Sequence, residues 1–212
     1  MRRQRIILSL STIFMIGIIV VWLVQILNDQ VPLFDQWSRD LALSQNDTKW
    51  YIFFVVLTKL GSRTFLIPFT IVMGLLLWWL YQDWLPALLL SGGTLFTHYL
   101  NQTIKNIIAR ERPSISAVLH AEGYSFPSGH AMLSMVCYGL FTYYIVKKLP
   151  SQRSIFLTQF FFALLIFFIG FSRIALHVHY ATDVMSGFFG GFLCLIGWMA
   201  LDHHISTRRG LS

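Results

Sequence analysis

The sequence predicts an all-α polytopic membrane protein, a six-transmembrane-helix bundle with an interfacial amphipathic helix between spans 1 and 2. The 212 residues are 56% hydrophobic, with a mean hydropathy of +0.63. Only 12% are charged, about half the usual share in a soluble domain. The apolar residues fall into runs near the roughly 20 residues that cross a bilayer core. No linker or internal repeat separates these runs, so residues 1–212 are expected to form a single integral-membrane domain.

The first predicted span covers residues 6–27. Its basic start resembles a signal peptide, but the apolar stretch is too long and no small-residue cleavage site follows, which indicates an anchor. Residues 31–44 place Phe34, Trp37 and Leu41 at helical spacing between charged residues. This pattern is typical of an amphipathic helix that lies in the membrane interface.

Five further spans follow, and a short apolar segment precedes them. Residues 50–60 are too few to cross, so they are either an extension of span 2 or an interfacial piece. The spans are predicted at 64–80, 85–105, 129–146, 155–171 and 184–201.

Charge predicts the orientation of this bundle. Six spans put both termini on one side, and with the termini inside that side carries eight Lys and Arg against two acids. The outer side then carries eight cations and seven acids. Because cytoplasmic loops are enriched in cations, both termini are expected to be cytoplasmic. The net charge of +7 is thereby explained by membrane anchoring, and no nucleic-acid partner is expected.

Lys105 and Arg112 lie seven residues apart at the end of the third span. If the helix continues, two turns separate them and both side chains point the same way. A guanidinium offers a planar fork to a phosphoryl group, and an ammonium offers a point charge. Two cations that snorkel to the interface remain the alternative.

The residues Pro-Ser-Gly-His at 127–130 immediately precede the fourth span. Proline suits the first turn of a helix, and Ser128 is a suitable cap. Gly129 permits a close backbone approach, and free amides at a helix N-terminus bind anions. His130 would then lie beside a bound phosphate, unless the segment is an ordinary capped helix start.

Arg173, His179 and Asp183 lie at the junction of spans five and six. His179 and Asp183 are four residues apart, hence on one face if helical. A carboxylate on one imidazole nitrogen fixes the tautomer and frees the other nitrogen to attack. The alternative is a His–Asp pair that only stabilises a helix start.

Taken together, three cations, two histidines and a carboxylate beside membrane spans suit the cleavage of a phosphate ester. The segments resemble the signature of the type 2 phosphatidic acid phosphatase superfamily. That signature is Lys, six residues, Arg-Pro; then Pro-Ser-Gly-His; then Ser-Arg, five residues, His, three residues, Asp. Every position is present between residues 105 and 183. The six-span layout and residues 58–62 extend the resemblance. The bacterial branch of phosphatidylglycerophosphate phosphatase B and undecaprenyl-pyrophosphate phosphatase looks closest.

The resemblance implies a role for each position. His179 would be the nucleophile, forming a phosphohistidine, with Asp183 orienting it. His130 would protonate the leaving oxygen and then activate water. No metal or other cofactor would be needed. The substrate phosphate would be bound by Lys105, Arg112, Arg173, Ser128 and the Gly129 amide.

These residues predict a lipid phosphatase on the extracytoplasmic face whose site forms within one chain. A phosphotransferase that uses the same phosphohistidine remains the alternative. A transporter or channel is disfavoured because the charges cluster at one face and no inverted repeat is present. Soluble vanadium haloperoxidases share the signature, but six spans argue against them. The choice among phosphatidylglycerophosphate, undecaprenyl pyrophosphate or a similar lipid stays open.

The remaining polar residues are assigned smaller roles. His177 is expected to face away from His179, at most lining the pocket. His98 is interpreted as a hydrogen-bonded core residue. Arg110 and Glu111 are expected to form a solvated pair near the mouth. The 114–126 loop, with His120, is a candidate lid.

Overall fold

A computed structural model describes residues 2–39, 48–113 and 123–210, and within these ranges all regular structure is helical. This confirms the predicted all-α fold class. The described elements are α1 (Arg2–Leu27), α2 (Leu33–Ser38), α3 (Thr48–Lys59), α4 (Arg63–Tyr81), α5 (Leu85–Ile108), α6 (Gly129–Val146), α7 (Gln152–Ala175) and α8 (Ala181–Arg208).

Helices α4 to α8 run alternately up and down, so their ends form two layers. In the layer away from the signature residues, Arg209 after α8 reaches Asp83 in the α4–α5 turn at 3.2 Å. There too, Asp202 of α8 accepts hydrogen bonds from Tyr143, Tyr144 and Lys147. The opposite layer contains the C-terminal ends of α5 and α7 and the N-terminal ends of α6 and α8. All three signature segments therefore lie in one layer.

Helix α6 is the most buried of these helices and packs between α5, α7 and α8. Its contact with α8 is close because two glycines face it. A Cβ on Gly187 would lie 2.6 Å from the Ser128 carbonyl oxygen, and one on Gly191 would lie 2.7 Å from that of Met132. Small residues four apart are a common means of close helix packing in membranes. They hold the start of α8 against the start of α6, where the signature residues meet.

The outer faces of α1, α4 and α7 are apolar and exposed, as expected for helices in contact with lipid. Five described helices are long and apolar enough to cross a membrane: α1, α4, α6, α7 and α8. Helix α5 has 24 residues, about 36 Å at 1.5 Å per residue, but it carries more polar side chains. The count of six spans therefore stays a prediction.

Two short helices differ from the sequence prediction in detail. Of the predicted segment 50–60, residues 50–59 belong to α3, which ends at Lys59, and Leu60 lies in the turn that follows. The segment therefore does not extend α4. The predicted interfacial helix at 31–44 is present as α2, while residues 40–47 lie outside the described part of the chain. Trp37 is 77% exposed and Asp35 is fully buried. The apolar side of α2 thus faces outward and its polar side faces the protein, an arrangement suited to a membrane interface.

The α6–α8 contact can be tested by adding one methyl group. Gly191→Ala is expected to lower the free energy of unfolding by about 1–3 kcal/mol, because the methyl group would overlap backbone and side chain of α6. Gly197→Ala is the matched control, since nothing lies within 4 Å of its added Cβ. Thermal unfolding in detergent micelles measures both. Equal melting temperatures for the two variants would contradict the close packing.

Candidate active site

His179 lies in the turn between α7 and α8, one residue before the Tyr180 N-cap of α8. Asp183 is the third residue of α8, and its Oδ2 accepts a hydrogen bond from the Tyr180 amide at 2.9 Å. The same oxygen is 3.5 Å from His179 Nδ1. The two side chains therefore meet through a capping interaction at the helix start. The reason given by sequence spacing, a shared helix face, is wrong, although the contact is present.

The second ring nitrogen of His179 faces a cation. Arg112 Nη1 lies 3.0 Å from His179 Nε2, and a guanidinium can only donate. Nε2 therefore accepts, which leaves the ring proton on Nδ1, toward Asp183. Burial lowers the pKa of His179 well below its usual range, and the three neighbouring cations lower it further. The ring is neutral at pH 7, as a nucleophile requires.

Arg112 contacts His179 from the segment that follows α5. Helix α5 ends at Ile108, and Ala109 takes a left-handed conformation with φ of 51°. The condition on which Lys105 and Arg112 would share a helix face, a helix that continues through both, is therefore not met. Arg112 is instead held by the carbonyl oxygens of Gly123 and Val178, each at 2.8 Å.

Lys105 and Arg173 are the two other cations of the site. Lys105 is in the last turn of α5 and donates to the carbonyl oxygens of Tyr124 and Ser125. Arg173 is only 3% exposed and donates to Thr58 Oγ1 at 2.7 Å. Its buried Nε has no hydrogen-bond partner within the described residues. Since an unsatisfied buried donor is costly, this nitrogen is available to an anion.

The segment before α6 brings the second histidine to the same place. Ser128 is the N-cap of α6, and its amide donates to the Asp183 carbonyl oxygen at 2.9 Å. This bond ties the start of α6 to the start of α8. Ser128 Oγ is buried without a partner in the described structure. His130 follows in the first turn of α6, where free helix amides favour anions.

These residues surround a cavity of about 830 Å³. Asp183 and Ser128 lie behind its wall and are fully buried. His98, interpreted from sequence as a core residue, also lines this cavity. His177 instead lines a smaller cavity of about 280 Å³ on another side of His179. His120 and the centre of the candidate lid loop lie outside the described residues. The predicted site residues on the larger cavity wall are Lys105, Arg112, Gly129, His130, Arg173 and His179.

Sequence analysis missed the role of Asp35 and misassigned Arg110. Arg110 does not pair with Glu111; it bridges Asp183 Oδ1 and Asp35 Oδ2, both at 2.6 Å. Asp35 also accepts hydrogen bonds from the amide and hydroxyl of Thr182 at 2.9 Å. This network joins α2 to α8 and turns the other oxygen of Asp183 toward His179. The available signal was an acidic residue in the predicted amphipathic segment at 31–44. Its position in the sequence did not connect it to the site.

The turn between α3 and α4 forms another wall of the site. Gly61 lies against His130, because an added Cβ would be 3.0 Å from the ring carbon Cδ2 and 2.5 Å from Ile169 Cγ2. Tyr138 donates to the Leu60 carbonyl oxygen at 2.7 Å and fixes this turn against α6. The packing explains why a residue without a side chain precedes Ser62.

The side chains that the structure describes can be compared with the ligand sets that hold metal ions. Within residues 2–39, 48–113 and 123–210, no three His, Cys, Asp or Glu residues lie close enough together to hold an ion. The arrangement presents a neutral imidazole, a second imidazole and three cations to one cavity. Such a set can bind a tetrahedral oxyanion and attack it.

Comparison with known proteins agrees with this chemistry. Residues 86–205 match the PAP2 superfamily. Phosphatidylglycerophosphatase B of Bacillus subtilis is 33% identical over 158 residues, which are 72% of this chain and 75% of that protein. The dolichyldiphosphatase of Saccharomyces cerevisiae is 33% identical over 147 residues, which are 65% of this chain and 60% of that protein.

A solved structure extends the likeness to the fold. The crystal structure of a transmembrane PAP2 type phosphatidylglycerolphosphate phosphatase from Bacillus subtilis superimposes with a TM-score of 0.76 and 25% identity. The match covers 88% of this chain and 95% of that one. With the five apolar helices, it identifies a multi-pass membrane protein.

The Asp35–Arg110–Asp183 network should affect both stability and turnover. Asp35→Asn is expected to lower the melting temperature by several degrees, because losing one partner of a buried ion pair costs about 3–5 kcal/mol. It should also lower kcat about tenfold or more, since Asp183 would be held less firmly toward His179. Asp29→Asn, at an exposed residue of the α1–α2 turn, is the control. Phosphate release and thermal unfolding measure both effects, and an Asp35→Asn protein with wild-type kcat would contradict the positioning role.

Proposed function

Because the chain belongs to the PAP2 superfamily, we propose that it is a lipid phosphatase that uses a phosphohistidine intermediate on the extracytoplasmic face of the membrane. The observation that supports it most strongly is the environment of His179. A neutral, buried imidazole faces a cavity with three cations around it and a carboxylate behind it. Enzymes of this kind are hydrolases of phosphate esters.

The first half of the reaction forms the intermediate. The terminal phosphate would occupy the cavity between Lys105, Arg112 and Arg173, where their charge offsets that of the phosphoryl oxygens. His179 Nε2 then attacks phosphorus, an N–P bond forms, and the bond to the leaving oxygen breaks. His130 takes up a proton when the bound phosphate offsets the charge of the surrounding cations, and it gives this proton to the leaving oxygen. Asp183 stabilises the positive charge that develops on the His179 ring.

The second half returns the enzyme to its starting state. Neutral His130 takes a proton from a water molecule, whose oxygen attacks phosphorus as the N–P bond breaks. Free phosphate leaves and His179 is neutral again. The same cations serve both steps, because each transition state places charge on the same equatorial oxygens. The amides at the start of α6 would add hydrogen bonds to these oxygens. Ser128 Oγ lies behind the cavity wall and would reach them only if the segment before α6 shifts when the phosphate binds.

A lipid substrate is supported by the surroundings of the cavity. Val55 and Phe65 line it beside the polar groups, and the outward faces of α4 and α7 are apolar and exposed. A head group could enter at the interface while its tails stay in the bilayer. The names of the relatives, a phosphatidylglycerophosphatase and a dolichyldiphosphatase, point to phosphorylated lipids.

The extracytoplasmic location is supported by charge and by the two layers of helix ends. Five cations lie in or beside the layer opposite the site: Lys147, Lys148, Arg153, Arg208 and Arg209. By the positive-inside rule this opposite layer is cytoplasmic. Six spans with cytoplasmic termini satisfy the arrangement, with α5 as the most polar of them. The domain would comprise residues 1–212, with a complete site in one chain.

The nucleophile is tested by His179→Ala with His204→Ala as the matched control. His204 is an exposed residue of α8 in the layer away from the site. Loss of the nucleophile should lower phosphate release at least about a thousandfold, whereas the control should retain wild-type turnover. The assay uses purified protein with phosphatidylglycerophosphate and undecaprenyl pyrophosphate in micelles containing excess EDTA.

Three results of this assay carry different meanings. Metal-independent release that is lost only in His179→Ala supports the proposal. Equal release by the two variants would refute the nucleophilic role. Label from a ³²P-terminal lipid that appears in an added alcohol acceptor, with little free phosphate, would instead identify a phosphotransferase.

A further inference from the structure

The larger cavity extends beyond the groups that the proposed chemistry uses. Its volume of about 830 Å³ lies within the range of pockets that enclose whole small-molecule ligands. Lys105, Arg112 and Arg173 account for one wall. A second side is formed by the end of α3, the turn that follows it and the first turn of α4. It begins beside Arg173, which donates to Thr58 at the end of α3. A single phosphate at His179 would leave this second side unoccupied.

Two further cations line that second side. They are Lys59, the last residue of α3, and Arg63, the first residue of α4. The described structure shows neither an ion pair nor a side-chain hydrogen bond to an acid for either residue. The α4 amides near Arg63 add the partial positive charge of a helix N-terminus. The two cations thus present uncompensated positive charge to the cavity.

The part of the wall that α5 forms is polar and carries no negative charge. Helix α5 presents His98, Gln102 and Asn106 to the cavity, four residues apart and therefore on one stripe of the helix. Across the described residues, no Asp or Glu lines this cavity. Neutral donors in the same cavity as two cations favour an anion over a neutral sugar or a cationic head group.

We propose that Lys59 and Arg63 form a second anion subsite, which binds the lipid-proximal phosphate of a substrate that carries two phosphates. The proposal rests on the proposed function and adds to it two residues that would select for a second phosphate. The terminal phosphate lies at His179 while the second phosphate lies between α3, α4 and α5. An isoprenyl diphosphate and a phosphatidylglycerophosphate both have this chemistry. They differ in the distance between the phosphates, which is short in the diphosphate and longer across the glycerol.

Four lipids in two matched pairs test the subsite. Farnesyl diphosphate is compared with farnesyl monophosphate, and phosphatidylglycerophosphate with phosphatidic acid, in phosphatidylcholine vesicles that add no net surface charge. Within each pair the tail is the same. The farnesyl pair differs by one phosphate, and the other pair differs by one glycerol phosphate unit. KM and kcat are measured for wild type, Arg63→Gln and Lys49→Gln. Lys49 is an exposed cation of α3 that does not line the cavity, so it controls for general surface charge.

Arg63→Gln is expected to raise the KM ratio of the two-phosphate lipid to its one-phosphate partner about tenfold, with little change in kcat. A contact made equally in the ground and transition states has this effect. Lys49→Gln should leave both ratios at the wild-type value. A change confined to the farnesyl pair identifies a diphosphate as the ligand, and one confined to the other pair identifies the phosphodiester.

Two outcomes would overturn the subsite. Arg63→Gln could raise KM equally for all four lipids. Arg63 would then either attract any anionic lipid non-specifically or belong to the site of the reacting phosphate. The substitution could also leave all four KM values unchanged. These outcomes differ from failure of the proposed function, in which wild-type protein releases phosphate from none of the four lipids.

Discussion

Three cations held around one neutral histidine are the constraint on which the site depends. Taking a charge out of water costs several kcal/mol unless partners compensate it. Here backbone carbonyl oxygens partly do so: those of Tyr124 and Ser125 for Lys105, and those of Gly123 and Val178 for Arg112. Arg173 keeps one buried donor without a partner in the described structure. The site is thus assembled with excess positive charge, which an incoming phosphate would neutralise.

The fold brings these groups together by placing helix ends in one layer. The functional side chains come from the adjoining ends of α5, α6, α7 and α8 and from the segments that follow α5 and α7, so no single element can assemble the site. Close packing of α6 on α8 at Gly187 and Gly191 sets the spacing between the two histidine segments. Arg110 adds a tie to α2 through Asp35. Stability of the bundle and geometry of the site therefore depend on the same contacts.

Sequence periodicity predicted the long helices well, because runs of about 20 apolar residues have few alternatives in a bilayer. The signature residues were also identified, since their spacing is specific. The local structure that brings the signature residues close together could not be predicted from the sequence. Ala109 ends α5 with a left-handed residue, and Asp183 meets His179 through a helix cap. Asp35 lies about 150 positions before Asp183 in the chain. Local sequence patterns cannot predict a contact between residues so far apart.

Binding of orthovanadate, a phosphate analogue, tests the central claim most directly. A ligand at ten times its Kd stabilises the folded protein by about 1.4 kcal/mol, which corresponds to a rise of roughly 3–5 °C in melting temperature for a chain of this size. A saturable rise of this kind is expected for wild-type protein at constant ionic strength, and it should be lost in Arg173→Met. A melting temperature that does not move at vanadate concentrations that inhibit phosphate release would contradict an anion site formed by the buried cations.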